Sequence, residues 1–181
     1  MSHSVLVLTG SLRIGGNSDQ LASAVIRGIE GAGNRAVCYR AAQHPHRPCL
    51  ACDQCFRDGQ ACPRDEAFSA LAPQLEECGG LAFVTPLYWL GFPGGLKLAL
   101  DKLYAFRVGK RSLAGKRCAL LACGEGDRPG LFDPLRLVYE DMAAYEGWAD
   151  VGTLLVPGMR ARGQLRDPAI LARAQALGEQ L

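Results

Sequence analysis

Val5-Leu6-Val7-Leu8 is an apolar run with no polar residue to alternate against. A strand of that kind has to be covered on both faces, as in a parallel sheet sandwiched between helices. Arg35 to Tyr39, Leu81-Ala82-Phe83-Val84 and Cys118-Ala119-Leu120-Leu121-Ala122 resemble it, and Val151 to Val156 is a fainter fifth. Helical stripes lie between them: Leu21, Val25, Gly28 and Ile29; Leu96, Leu100 and Leu103; Leu135, Val138 and Met142; Leu171, Ala174, Leu177 and Leu181. Glu66 to Cys78 also reads as a helix, with Pro73 expected to kink or restart it. Asn17, with Gln20 three residues on, reads as an N-cap, and Gly31 and Gly33 as the end of that helix. Five strands alternating with five helices predict a doubly wound α/β sheet with right-handed crossovers, one domain over residues 1–181. The one long irregular stretch, about 41–64, holds Pro45, Pro48, Pro63 and four cysteines; a loop of that length inside a compact domain is more often functional than accidental.

With 181 residues, 49% of them apolar, the chain can bury a core without metals or disulfides. Twenty basic residues against 18 acidic leave a net charge of +2, so there is no electrostatic case for nucleic acid or an anionic membrane as partner. No apolar run approaches the ~20 residues of a membrane span. The residues ahead of Val5 lack the basic start of a secretion signal, and a cytoplasmic protein is expected. In that compartment eight cysteines are many. Clustering of Cys49, Cys52, Cys55 and Cys62 favours metal or redox chemistry over a disulfide framework.

Ligands of such sheets sit beyond the carboxyl ends of the strands, at the switch point. The loop after the first strand reads Thr9-Gly10-Ser11-Leu12-Arg13-Ile14-Gly15-Gly16-Asn17-Ser18 and runs into a helix. Free N–H groups and the helix dipole make that an anion site, with Ser11, Asn17 and Ser18 as phosphate donors and Arg13 as the charge. A polar turn with a helix cap is the plainer account, but Gly10-Ser11 and Gly15 to Ser18 exceed what a turn needs. There is neither a G-x-G-x-x-G fingerprint nor a Gly-Lys-Ser/Thr P-loop here, which disfavours ordinary dinucleotide dehydrogenases and nucleoside triphosphatases.

Gly10-Ser11-Leu12-Arg13-x-x-Gly16-Asn17-Ser18 resembles the phosphate loop of the NADPH-dependent FMN reductases and their flavodoxin-like relatives, Gly-Ser-x-Arg-x-x-Ser-Asn-Thr/Ser, with Gly16 where Ser is common. Thr85-Pro86-Leu87-Tyr88-Trp89 is similar to the family's flavin-ring loop, and Leu96-Lys97-x-x-x-Asp101-Lys102 to the start of the helix that follows. The resemblance implies a flavodoxin-like three-layer sandwich, strand order 2-1-3-4-5, with the 41–64 insertion near the flavin loops. It implies FMN as cofactor, held by Ser11, Arg13, Asn17, Ser18, Pro86, Leu87, Tyr88 and Trp89 and bordered by Gly124, Glu125 and Gly126 of the loop after strand 4. Tyr88 and Trp89 also suit a subunit interface or core.

Cys49-x2-Cys52-x2-Cys55-x6-Cys62-Pro63 shares its first three cysteines and its proline with the ferredoxin run C-x2-C-x2-C-x3-C-P, with a longer last step. The resemblance narrows here to the iron–sulfur flavoprotein-like branch, which implies a [4Fe-4S] cluster on these four cysteines. Zinc fits less well, since its knuckles are usually paired and far apart; free thiols are the third alternative.

The function implied is an FMN-dependent NAD(P)H oxidoreductase. It would pass electrons from the nicotinamide through FMN to a small-molecule or protein acceptor — a quinone, a flavin, an electron-poor aromatic or an iron–sulfur partner — in a homodimer or homotetramer. The cofactor carries the chemistry, so no catalytic acid or base is named. The alternatives are a flavodoxin-type electron carrier, which the near-neutral charge disfavours, and a cysteine-based redox sensor without turnover. Other residues receive blander expectations: a solvated His44-Pro45-His46 turn, Cys38, Cys118 and Cys123 as small core residues, and a solvated basic segment of Arg107, Lys110, Arg111, Lys116 and Arg117.

Overall fold

A computed structural model describes residues 2–181. Five strands form one parallel sheet in the order β2-β1-β3-β4-β5: β1 Ser4–Thr9, β2 Arg35–Arg40, β3 Gly80–Pro86, β4 Arg117–Cys123 and β5 Ala149–Val156. The order is the one expected. The central strands β1, β3 and β4 are buried almost end to end, which is why their sequences are continuous apolar runs. Edge strand β2 leaves Cys38 exposed, so that cysteine is not the core residue its strand position suggested.

Helices α1 Asn17–Gly31 and α6 Pro168–Glu179 cover one face, where Val5, Val7, Ala82, Val84, Ala119 and Leu121 meet Leu21, Val25, Ile29 and Ala174. These two helices touch backbone to backbone. A methyl group at Gly28 would overlap the Gln175 carbonyl, and one at Gly178 the Val25 carbonyl. Leu6, Leu8, Leu81, Phe83, Cys118 and Leu120 face the other layer, made of α2 Glu66–Glu77, α3 Gly94–Leu100, α4 Tyr104–Val108 and α5 Asp133–Glu146.

Several local expectations are corrected. Helix α2 runs on through Pro73 without a break. The helix expected around Leu96 to Leu103 is broken into α3, a 3-10 turn at Asp101–Leu103 and α4. On α5 the buried stripe is Leu135, Tyr139 and Ala143, and Val138 is exposed. Lys116 is buried: its Nζ caps the end of α2 at the carbonyls of Cys78 (2.6 Å) and Glu76 (3.1 Å).

The cysteine loop leaves β2 through a 3-10 turn, Ala41–Gln43, packed against Gly95 at the start of α3. Its base is pinned by a buried polar network. Asp65 caps α2 through Phe68 N–H (2.8 Å) and also accepts from Arg47 N–H (2.9 Å), Lys102 Nζ (2.7 Å) and His46 Nδ1 (3.4 Å). His46 Nε2 lies 2.9 Å from the Tyr39 hydroxyl, and Lys102 also reaches the Arg47 carbonyl. His46 is therefore a buried strut, whereas a solvated turn was expected; only His44 and Pro45 are exposed.

Candidate functional site

The loop 10–18 after β1, expected to take phosphate, is shaped by its own backbone and by Asp19. Gly15, in the left-handed region at φ +72°, donates its N–H to Asp19 Oδ2 (2.7 Å), while Asp19 Oδ1 pairs with Arg40 at the end of β2 (2.8 Å). Ser11 Oγ accepts from Arg13 N–H (3.1 Å) and Gly16 N–H bonds the Arg13 carbonyl (3.0 Å), closing the loop. Gly16, not Asn17, is the N-cap of α1, and it has no side chain to satisfy the first turn. The first backbone bond of the helix is Gln20 N–H to Gly16 O, which leaves the N–H groups of Asn17, Ser18 and Asp19 without a partner among the described residues. Unmet donors at the positive end of a 15-residue helix are what a phosphate neutralises.

A cleft of about 300 Å³ opens from this loop along the carboxyl edge of the sheet. Ser11, Arg13, Asn17 and Ser18 line one part of it, and Pro86, Leu87, Tyr88, Trp89, Gly124 and Glu125 the rest. All the expected cofactor residues but one therefore meet in one cavity. Gly126 lines an adjoining apolar cleft of about 640 Å³, together with Leu87, Trp89, Leu90, Glu125, Leu131 and Arg160.

Two donors are committed elsewhere. The Asn17 amide spans to Ala161 O and Leu165 N (both 2.9 Å), so the group it offers an anion is its backbone N–H. Ser18 Oγ lies 3.3 Å from Cys123 Sγ. Cys123 is buried, as expected of a core residue, yet it lines the cleft. Its thiol is pushed up by burial, with the Ser18 hydroxyl opposing.

The aromatic loop is a two-residue hairpin: Tyr88 and Gly91 exchange N–H···O bonds of 3.1 Å, and Trp89 (φ +46°) and Leu90 (φ +69°) both sit in the left-handed region. Asn and Gly normally fill that turn; two large apolar residues there carry backbone strain. The turn holds Trp89 fully exposed at the cleft mouth, and Gly124 lets its wall close, since a Cβ there would stand 3.1 Å from Leu87 Cβ. The site thus has an anion cradle at one end and a narrow wall of apolar and glycine backbone at the other, and its residues fit a flat ring carrying a terminal phosphate.

Sequence reasoning missed the strap 157–167 after β5, which brings Met159, Arg160, Ala161 and Arg162 to the cleft. Arg162 bonds the Ile14 carbonyl, and Arg160 lies 3.5 Å from Asp127. The strap has no apolar periodicity. Its place follows from topology: β5 is the sheet edge and α6 lies on α1, so the connection crosses the mouth of the phosphate loop. The rule that pointed to the loops after strands 1, 3 and 4 extends to strand 5.

No residue of 41–64 lines either cleft; the cysteine loop lies along α4, with Phe56 packed on Phe106 and under the Arg111 guanidinium, and Asp53 bonded to the Tyr104 hydroxyl (3.0 Å). Ala51, Asp53 and Phe56 are left-handed and wind the loop between its cysteines; Gly59 and the bond from Phe56 N–H to Gln60 O turn it back to Cys62, whose carbonyl accepts from Ser69 Oγ. The Cys55 thiol is pushed up first by burial, then by the charges of Cys62, Cys49 and Cys52. Half-buried Cys52 is lowered, chiefly by the Gln54 N–H. Among the described residues no three His, Cys, Asp or Glu side chains are arranged to hold a single metal ion.

The chain is 28% identical over 180 residues (96% of this chain, 95% of the relative) to YwqN of Bacillus subtilis, named as an NAD(P)H-dependent FMN-containing oxidoreductase. Over 105 residues (58% of this chain, 54% of the relative) it is 26% identical to an iron–sulfur flavoprotein of Methanocaldococcus jannaschii. The solved NAD(P)H:quinone oxidoreductase from Methanothermobacter marburgensis shares the fold, with a TM-score of 0.74 at 19% identity over 99% of this chain and 96% of that one. No described helix is long and apolar enough to cross a membrane. Residues 3–139 match the family model for NADPH-dependent FMN reductase, and it is to this family of FMN-dependent NAD(P)H oxidoreductases that the chain belongs.

Proposed function

We propose that FMN lies in the 300 Å³ cleft, its phosphate on the first turn of α1 beside Ser11 and Arg13 and its ring against Pro86 to Trp89 and Gly124-Glu125. The observation that carries this reading is the uncapped start of α1 opening into that cleft. When bound, FMN supplies the two-electron chemistry, accepting hydride from the nicotinamide and yielding electrons to the acceptor. The chain's residues bind and orient: the Asn17, Ser18 and Asp19 N–H groups and Arg13 neutralise the phosphate, and the Tyr88–Gly91 turn fixes one wall. Leu87, Trp89, Leu90 and Leu131 line the wider cleft, an apolar berth for a second substrate, with a quinone or another flat electron acceptor as the final oxidant.

Leu12, Ile14, Trp89 and Leu90 leave an apolar rim exposed around the site, which supports a homodimer or homotetramer in which a second copy covers it. The spacing of Cys49, Cys52, Cys55 and Cys62 supports a [4Fe-4S] cluster on the cysteine loop, a reading that the likeness to an iron–sulfur flavoprotein favours over zinc. Eight cysteines suit the reducing cytoplasm. The test of function is an anaerobic titration of FMN-loaded protein with NADPH and then NADH. The flavin absorbance should bleach with one donor per FMN and return on addition of a benzoquinone. Bound FMN that neither donor bleaches would leave an electron carrier as the reading.

A further inference from the structure

Three arginines, Arg13, Arg160 and Arg162, line the cleft, where Arg13 and the start of α1 already serve the FMN phosphate in the reading above. Of the three only Arg160 also lines the wider apolar cleft. It stands on the boundary between the berth for the cofactor and the berth for whatever exchanges electrons with it. The arrangement is built. Arg160 and Ala161 N–H both donate to Gln164 Oε1 (2.9 Å each), Asn17 Nδ2 holds the Ala161 carbonyl, and Met159 and Gly158 N–H bond the carbonyls of Gly124 (2.8 Å) and Gly126 (3.3 Å). The backbone under Arg160 is thus fixed from both the phosphate loop and the loop after β4. Among the described residues its side chain is paired only with Asp127, at 3.5 Å, and both are largely exposed. An exposed pair of that length is weak and gives way to a better anion.

We infer that Arg160 is a binding residue for the dinucleotide hydride donor. Its guanidinium takes the diphosphate common to NADH and NADPH, and Asp127 occupies that guanidinium until the donor arrives. The diphosphate is chosen over the 2′-phosphate because Arg160 lies where the two clefts meet, beside the ring-binding wall, and the diphosphate is the anionic group nearer the nicotinamide. The inference rests on the FMN reading above, and the experiment separates the two.

Calorimetry first measures FMN, and then measures tetrahydro-NADP and tetrahydro-NAD, which cannot give hydride, on the FMN-loaded protein. Arg160→Gln should weaken both dinucleotides about ten- to a hundredfold, the range of a charge-assisted bond, and leave FMN affinity unchanged. In steady state the variant should raise KM for NADPH and NADH alike and spare an uncharged donor, N-benzyl-dihydronicotinamide. Asp127→Asn should tighten both dinucleotides a few-fold; this exposed substitution keeps a readout if the arginine variant folds poorly. Unchanged dinucleotide affinity in Arg160→Gln, an equal loss of FMN, or no tightening in Asp127→Asn overturns the assignment and leaves the FMN reading standing. Failure of the parent protein to take FMN removes both.

Discussion

Asp65 is 2% exposed and gathers four donors from three parts of the chain. Burial alone would raise its carboxyl, but the Lys102 ammonium and the N–H groups of Phe68 and Arg47 together outweigh that and hold it at about 2. His46 goes the other way: burial lowers it, and the pull of Asp65 does not restore it. The neutral ring can donate from Nδ1 to Asp65 and accept the Tyr39 hydroxyl at Nε2. Asp65→Asn should destabilise the fold by about 3–5 kcal/mol, because it strands the Lys102 charge in the interior. A folded-state depression stabilises above the unfolded value and is lost as pH falls. The urea midpoint should therefore drop below pH 6.5 as His46 is forced to charge, and again from 3.8 down through 2 as Asp65 is protonated. His46→Gln should remove the first step. A midpoint flat from pH 7 to 5 in the parent protein would contradict this description. None of it was legible beforehand, since the burial of His46 and Lys102 depends on partners 19 and 55 positions away.

Among the elements, α1 does two jobs: its start leaves three N–H groups open beside the cleft and its flank seats α6. The close contact at Gly28 is specific to that position, because nothing lies within 4 Å of a Cβ placed on Gly31 in the same helix. Gly28→Ala should cost about 1–3 kcal/mol by overpacking, while Gly31→Ala should be neutral or stabilising by up to about 1 kcal/mol; equal effects in urea melts would refute the contact. Gly28 was visible in the sequence as a member of the apolar stripe, but its reason was not, since α6 lies far along the chain. The cysteine loop is the reverse case. Its spacing announced the thiol cluster, and no local signal said that Phe56 would anchor it on α4, away from the cleft. Anaerobic protein reconstituted with iron and sulfide should hold close to a four-iron complement, lost in Cys52→Ser and kept in Cys38→Ser. Equal iron in the parent protein and Cys52→Ser would reassign the loop to thiol chemistry.

At the scale of the molecule, the sheet was legible because strands covered on both faces cannot hide: β1, β3 and β4 are apolar nearly throughout, and the helices between them fix parallel pairing and order. Three loops of the site were legible for the same reason, since parallel strands deliver their carboxyl ends to one edge. The strap carrying Arg160 and Arg162 was not, because its position is set by where α6 packs and not by its own composition. The account turns on whether the start of α1 and Arg13 hold the phosphate of a flavin. Calorimetric titration of the protein and its Arg13→Ala variant with FMN and with riboflavin tests that most directly. The predicted result is saturable FMN binding at one per chain, weakened by about 1.5–3 kcal/mol in the variant, with riboflavin indifferent to the substitution. No saturable FMN binding, or an equal loss for both ligands, would contradict it.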